Sequence, residues 1–141
     1  MATTARSKKE LVRQAITALN ECDREGFVAL HHEDTVLHDG TDEMHGIDAI
    51  ADHEFDFLEA FPDLTLTLET VLAEDEMVAA RWTAAGTHEH EFNGIAPTGE
   101  EFEILVVGMF RVVEGRIAEV WIVADRFGLT QQLGIVESPE R

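Results

Sequence analysis

The carboxylate best placed for acid/base chemistry is Asp125, which follows the last of a series of strand-like segments. If a two-residue turn joins the last two strands, Gly108 faces Trp121 and leaves room for its ring. Asp125 would then point into an apolar interior, where burial raises a carboxylate's pKa and makes it a better base. Alternatively, Asp125 caps the segment that begins at Gly128, or it pairs with Arg126. The face predicted to point inward consists of Ile104, Val106, Gly108, Phe110, Ile117, Glu119, Trp121, Val123 and Asp125.

A second acid, Glu54, falls within the apolar stripe of a helix predicted from Gly46 to Phe61. An acid on a buried helix face needs a partner or a pocket. Either Glu54 lines a cavity and faces Asp125 or a histidine, or the helix is rotated enough for Glu54 to reach solvent. His53 lies at the edge of the same stripe and would join Glu54 in a substrate pocket.

Two histidines are candidates for proton transfer. His38 shares a strand face with Val36, and His88 ends the segment Gly86-Thr87-His88. Each could orient a substrate or exchange a proton with Asp125, and each could equally be a structural histidine bonded to the backbone.

Metal binding is not expected from the histidine spacing. His88 and His90 form a His-x-His pair, but no further histidine follows at a spacing that would complete a site. His31 and His32, beside Glu33 and Asp34, are interpreted as part of a solvated loop. We therefore expect no metal and no other cofactor.

The strand from Met77 to His88 presents Arg81 and Trp82 to opposite faces of the sheet. A two-residue turn at Glu74-Asp75 places Arg81 and Thr83 in the pocket, and a three-residue turn places Trp82 and His88 there instead. Register decides the face completely, and the sequence leaves both registers open. An inward Arg81 could hold a carboxylate.

Composition excludes several functional classes. The formal net charge of −19 argues against a nucleic-acid partner, which requires a basic face. The acids are spread along the whole chain, as in the solvated acidic surface of a halophilic protein. We expect a cytoplasmic protein without a membrane partner, because no segment is apolar enough to span a bilayer or act as a secretion signal. The absence of tyrosine weakens a ketosteroid-isomerase interpretation.

The order of elements predicts an α+β fold. Helical periodicity dominates up to Pro62, and four strands of period two follow. We expect one domain over residues 1–141, with an ordered core at about 7–134 and short polar tails.

A set of short motifs extends from the first helix to Gly134. These are Phe61-Pro62-Asp63-Leu64, Gly86-Thr87-His88, Phe92, Gly94, Pro97-Thr98-Gly99, Phe110-Arg111, Gly115-Arg116-Ile117, Glu119, Trp121, Asp125 and Gln132-Leu133-Gly134. With these motifs the chain resembles the SnoaL-like polyketide cyclases, also called ester cyclases, of the nuclear transport factor 2-like superfamily.

The resemblance implies a cone-shaped barrel in which a curved, mostly antiparallel sheet wraps around N-terminal helices, the fold called nuclear transport factor 2-like or cystatin-like. It also implies a homodimer. The characterised cyclases close a ring by intramolecular aldol chemistry without metal or cofactor. Their acid/base is an aspartate on the last long strand, and Asp125 matches it.

We therefore expect an ester cyclase-type lyase or isomerase that acts on a small apolar carbonyl compound in the cone, by aldol-type cyclisation or isomerisation. Asp125 would remove a proton, His38 or His88 would position the substrate, and Trp121 and Phe110 would form part of the apolar wall. One alternative is an epoxide hydrolase-like enzyme, in which two acids and an inward Arg81 activate water. The other is a non-catalytic dimeric module that binds a small ligand.

Overall fold

The computed structural model describes residues 5–135, which form four helices and six strands. The helices are α1 (Ala5–Asn20), α2 (Arg24–Ala29), α3 (Ile47–Ala60) and α4 (Arg126–Gln132). The strands are β1 (His31–Asp39), β2 (Asp42–His45), β3 (Thr65–Glu74), β4 (Met77–Thr87), β5 (Glu101–Val113) and β6 (Arg116–Ala124). No helix in this range is long and apolar enough to cross a membrane.

The strands form one curved, unclosed sheet with the order β2-β1-β6-β5-β4-β3. All neighbours are antiparallel except β1 and β6, which run parallel. Helix α1 packs on β3, α3 on β1 and α4 on β5. The predicted α+β class with a mostly antiparallel sheet is confirmed.

The inner face of the sheet follows from the alternation along β5, whose even-numbered residues are buried and whose odd-numbered residues are exposed up to Phe110. These buried side chains meet apolar positions of α1 and α3 in a single core. The prediction for the inner face of β5 is therefore correct, and it names Ile104, Val106, Gly108 and Phe110.

The predicted face of β6 is wrong from Glu119 onward, because β6 contains a bulge. Val112 pairs with Ile117 as predicted, but Arg111 pairs with Glu119, so Ala118 is an extra residue in the ladder. A single inserted residue moves every later side chain to the other face. Trp121 therefore pairs with Met109 rather than with Gly108, and it lies on the outer face.

A second bulge affects β3. The register shifts between Leu68 and Thr70, so Leu66 and Leu68 border the core while Leu72 is 63% exposed. A two-residue turn, Asp75-Glu76, joins β3 to β4, so Arg81 shares the outer face of Leu72. The bulge places Leu68 opposite Trp82 on the inner face, where Trp82 is buried. The Trp82 ring occupies the space beside Gly108, where an added Cβ would lie 2.9 Å from the indole.

The first strand begins earlier than the sequence indicates. The polar pattern from His31 to Asp34 predicts a solvated loop, but this segment forms the first half of β1, and His31 is only 5% exposed. The expectation fails because the parallel pairing to β6 begins at His31, which lies opposite Ile117.

Side chains in two of the motif segments form hydrogen bonds that join neighbouring elements. The Asp63 carboxylate, just after α3, accepts hydrogen bonds from the Thr87 backbone N–H at 2.8 Å and from the Thr87 hydroxyl at 2.7 Å. These bonds lower the pKa of Asp63, the hydroxyl making the larger contribution. The Gln132 amide exchanges two hydrogen bonds with the backbone of Glu103, at 2.7 and 2.9 Å, and holds α4 against β5.

Candidate functional site

A cavity of about 790 Å³ lies between the concave face of the sheet and the helices. Its apolar wall is formed by side chains from all layers of the fold, among them Ile16, Phe57, Trp82, Ile104, Val106 and Phe110. This volume falls in the range of small-molecule sites. The cavity is therefore the candidate site. Phe110 lines it, and so does Trp82, the residue that the sequence left as the alternative to Arg81.

The polar part of this cavity centres on Glu54. Its position on α3, one turn from Ile50, directs the side chain towards the sheet, and the residue lines the cavity. Burial raises the pKa of Glu54 above its ordinary value, and the nearby carboxylate of Asp39 raises it further, while His53 lowers it. Of the two acids that the sequence placed in the pocket, Glu54 lines this cavity and Asp125 does not.

Asp39 stands at the end of β1, two residues after the buried Leu37 and on the same face of the strand. Its carboxylate lies 3.8 Å from His53 Nε2 and forms an ion pair with the guanidinium of Arg126. His53 is about half exposed and lines the cavity. The four side chains of Asp39, His53, Glu54 and Arg126, which we call the mouth cluster, provide two acids, an arginine and an imidazole at one end of an apolar cavity.

Arg126 reaches this cluster because of the bulge in β6. After the bulge, Ile122 and Ala124 face the cavity, and Arg126 continues along the same side into the first turn of α4. Without the extra residue Ala118, that side of the chain would instead carry Trp121, Val123 and Asp125.

Asp125 does not point into the interior. Its side chain is exposed and caps α4, accepting a hydrogen bond from the Gly128 backbone N–H at 2.8 Å. The same arrangement occurs at Asp23, which caps α2 through the N–H of Gly26 at 2.9 Å. In both places the carboxylate occupies the space that a Cβ on the glycine would need. The capping alternative for Asp125 is thus the one observed.

His38 and Trp121 lie together on the outer face of the sheet. Their rings are stacked with centroids 5.3 Å apart, and His38 Nε2 is 2.6 Å from a carboxylate oxygen of Glu119. Glu119 also pairs with Arg111 at 3.2 Å. The hydrogen bond from His38, followed by that from Arg111, lowers the pKa of Glu119. Neither His38 nor Trp121 lines the cavity, because odd and even positions of β1 face opposite ways and the β6 bulge turns Trp121 outward.

His88 is fully buried but serves the loop that follows β4. Its Nδ1 lies 3.2 Å from the Thr98 backbone N–H and 3.1 Å from the Thr98 hydroxyl, so Nδ1 accepts and the proton resides on Nε2. Nε2 is buried without a hydrogen-bond partner among residues 5–135, and the ring packs beside Phe61. His88 does not line the cavity, so the structural alternative fits this residue.

Arg81 is exposed on the outer face and donates to the Thr70 hydroxyl at 3.3 Å. The register therefore places Trp82 on the inner face, and Arg81 is not the inward arginine that the alternative epoxide hydrolase-like function requires. Arg126, which the sequence suggests only as a partner for Asp125, is the arginine that lines the cavity.

Sequence reasoning did not identify Asp39, Arg126 and His31 as cavity residues. Asp39 could have been found from its spacing of two from Leu37, had β1 been extended past His38. No sequence pattern indicated that Arg126 lines the cavity. The side of the chain on which Arg126 lies depends on the bulge at Ala118, and no residue type in β6 marks that bulge. His31 was hidden by its polar neighbours Glu33 and Asp34, which suggested solvent.

Within residues 5–135, no group of three or more histidine, cysteine, aspartate or glutamate side chains has a geometry that could hold a metal ion. The same holds for the mouth cluster, with its side chains of Asp39, His53 and Glu54.

The fold described above, a curved sheet packed against N-terminal helices, is shared with several solved structures. The proposed hydroxylase AclR from Streptomyces galilaeus is 29% identical, with a TM-score of 0.88 over 98% of this chain and 91% of that one. The proposed polyketide cyclase IdmH from Streptomyces antibioticus is 32% identical, with a TM-score of 0.81 over 90% and 98%. A SnoaL-like protein from Jannaschia has a TM-score of 0.87 at 17% identity over 99% and 98%, which shows the fold alone.

Residues 9–133 match the family model of the SnoaL-like polyketide cyclases. The chain belongs to this family. A comparison with curated proteins found no match.

Proposed function

We propose that this protein is a cofactor-free acid/base enzyme that performs an aldol-type cyclisation or an isomerisation on a small apolar carbonyl compound, with Glu54 as the group that transfers the proton. Family membership supports the class of reaction, and the cavity supports the apolar substrate. The observation that carries the proposal is the Glu54 carboxyl, which borders an apolar cavity and has a pKa raised by burial.

The mouth cluster supplies the components that such a reaction needs. The Glu54 carboxylate would take a proton from the carbon next to a substrate carbonyl, which leaves an enolate. The Arg126 guanidinium, oriented by its ion pair with Asp39, would stabilise the negative charge on the enolate oxygen. The enolate carbon would then attack a second carbonyl of the same molecule, and the resulting alkoxide would recover the proton from Glu54.

The raised pKa of Glu54 suits both halves of this cycle. A carboxyl with an ordinary pKa is a weak base towards a carbon acid, whereas a carboxyl with a raised pKa accepts the proton more readily and is still able to return it. Glu54 takes the part that sequence reasoning assigned to Asp125, because of the two only Glu54 borders the cavity.

The proposal can be tested without the natural substrate, by following proton exchange at carbon. We would incubate 2-tetralone in D₂O with the protein and measure the loss of the α-CH signal by ¹H NMR. We expect acceleration over buffer, and we expect Glu54→Gln to reduce the enzymatic rate by about 100-fold or more. Glu59→Gln, an exposed position on the same helix, is the matched control. Equal rates for wild type and Glu54→Gln would overturn the assignment.

A second candidate is an epoxide hydrolase-like enzyme, which the ion pair between Asp39 and Arg126 beside Glu54 favours. In that reaction the acids would activate a water molecule, and the arginine would orient them. Incorporation of ¹⁸O from labelled water into a diol formed from styrene oxide would support it. The absence of both proton exchange and epoxide opening, together with retained binding of tetralone, would favour a ligand-binding module.

A further inference from the structure

His31 is a polar side chain placed within the apolar part of the cavity wall. It follows α2 directly, is 5% exposed, and lines the cavity together with Phe27. Its ring lies 4.5 Å from the ring of Phe27, centroid to centroid. The acid/base mechanism proposed above makes no use of this residue.

The tautomer of His31 follows from its hydrogen bond to the backbone. Nδ1 lies 2.7 Å from the carbonyl oxygen of Phe27, and a carbonyl can only accept, so Nδ1 carries the proton. Burial lowers the pKa of His31 to about 4, although the bond to Phe27 opposes this shift. At neutral pH the imidazole is therefore uncharged, and Nε2 presents a lone pair.

The strand register places His31 far from the mouth cluster. On β6, Ile117 lies opposite His31, and Ile122 lies opposite Asp39. Ala118 is the extra residue of the bulge, so four regular steps of about 3.3 Å separate these two positions, roughly 13 Å along the strand. The charged mouth cluster and the neutral imidazole of His31 thus lie at opposite ends of this stretch of the cavity wall, and the apolar Leu37 lies between them on β1.

We propose that His31 Nε2 accepts a hydrogen bond from a hydroxyl group of the substrate at the end of the cavity opposite Glu54. The substrate class is then an apolar molecule with a carbonyl near the mouth cluster and a hydroxyl at its far end. The carbonyl end rests on the proposed function, whereas the hydroxyl end rests on His31 alone.

The chemistry of a neutral acceptor explains why a hydroxyl is selected. A carboxylate has no proton to offer to a lone pair, and burying its charge beside apolar side chains is costly. A methyl or hydrogen at the same position would leave Nε2 without the partner that it has in water. A hydroxyl group gives up its hydrogen bond to water on binding and forms a new one with His31 Nε2.

The test compares two matched probes, 6-hydroxy-2-tetralone and 6-methyl-2-tetralone, by isothermal titration calorimetry. We expect wild type to bind the hydroxyl probe about tenfold more tightly, the effect of one well-formed hydrogen bond. In His31→Phe this ratio should fall to about one, while the methyl probe should still bind. Glu54→Gln should keep the tenfold ratio, so failure of the proposed function and failure of this inference are distinguishable.

A second measurement tests the inference on wild type alone and so does not depend on the folding of His31→Phe. Long-range ¹H–¹⁵N correlation of wild type should show a neutral His31 protonated at Nδ1, and the Nε2 resonance should move with the hydroxyl probe and stay fixed with the methyl probe. Equal affinity of wild type for the two probes, a preference that survives in His31→Phe, or a His31 protonated at Nε2 would each overturn the inference.

Discussion

At the scale of single residues, Glu54 is a partly buried carboxyl that lacks a compensating hydrogen bond from the part of the chain that the structure describes. Burial makes the largest contribution to its raised pKa, Asp39 adds to it, and the opposing effect comes from His53. A carboxyl in this situation destabilises the folded protein whenever it is ionised. Such a cost is expected at a working site rather than at a structural one.

This cost gives a prediction for stability against pH. The pKa of Glu54 is higher in the folded protein than in the unfolded chain, so its contribution to stability is fully present below the unfolded pKa and is lost as the pH rises through the folded pKa. Glu54→Gln cannot ionise and escapes that loss. The free energy of unfolding of Glu54→Gln relative to wild type should therefore increase from about pH 4 to about pH 8. Urea denaturation at the two pH values measures it, and a constant difference would contradict the assigned environment.

Asp125 presents the opposite case, a carboxylate with a clear structural partner. Asp125→Ala removes the acceptor for the Gly128 N–H at the start of α4, which should cost about 1 kcal/mol of unfolding free energy. Asp23→Ala, which removes the equivalent cap of α2, serves as the matched variant and should show a similar loss. If Asp125→Ala were as stable as wild type, the capping role would be contradicted.

At the scale of elements, regular alternation was readable from the sequence and irregularity was not. The inner face of β5 was predicted correctly, because this strand alternates and is joined to β6 by the two-residue turn that was expected. The bulges at Ala118 and near Glu69 carry no residue that marks them, so the outward positions of Trp121 and Leu72 could not be foreseen. The error at Asp125 is thus an error of register and not of residue chemistry.

The recurrence of Asp-x-x-Gly was a usable signal that sequence reasoning did not apply. Asp23 and Asp125 each precede a glycine by three residues, and both cap a helix through that glycine's N–H. A short polar residue followed by a helix start is an ordinary capping pattern. The two copies, compared with each other in the sequence, would have favoured the capping role for Asp125.

The hydrogen bonds from Thr87 to Asp63 hold the start of β3 against the end of β4. We expect their contribution to the free energy of unfolding to fall in acid. Because hydrogen bonds lower the pKa of Asp63, its contribution to stability is present above the unfolded pKa and is lost as the pH falls through the folded pKa. Asp63→Ala should cost about 1 kcal/mol near neutral pH. In a double-mutant cycle with Thr87→Val, measured by urea denaturation, the two losses should be less than additive, whereas full additivity would contradict a direct bond.

At the scale of the whole molecule, the outer face of the sheet is unusual for a chain with a net charge of −19. One row across the strands runs through Leu72, Ala79, Met109, Trp121 and His38. Beside it, Leu105, Val107 and Val123 are 42–62% exposed. A contiguous exposed apolar surface commonly marks an interface. Two copies of a strongly acidic chain can approach most closely where charge is scarce.

We propose that this face forms the homodimer implied by the family resemblance. Met109→Glu, at the centre of the row, should convert a dimer to a monomer in size-exclusion chromatography with light scattering. Phe127→Glu replaces another exposed apolar side chain, on α4, and should leave the dimer intact. A monomeric wild type, or a Met109→Glu variant that stays dimeric, would contradict the proposal.

Proton transfer at Glu54 inside the cavity, and not at Asp125, is the central claim. The direct measurement is the rate of α-proton exchange of 2-tetralone, by ¹H NMR, for Glu54→Gln and Asp125→Asn at equal concentrations of folded protein. We expect Asp125→Asn to exchange at the wild-type rate, because asparagine also caps helices and the residue lies outside the cavity. We expect Glu54→Gln to lose about 100-fold or more. Loss of exchange in Asp125→Asn with full activity in Glu54→Gln would contradict the claim.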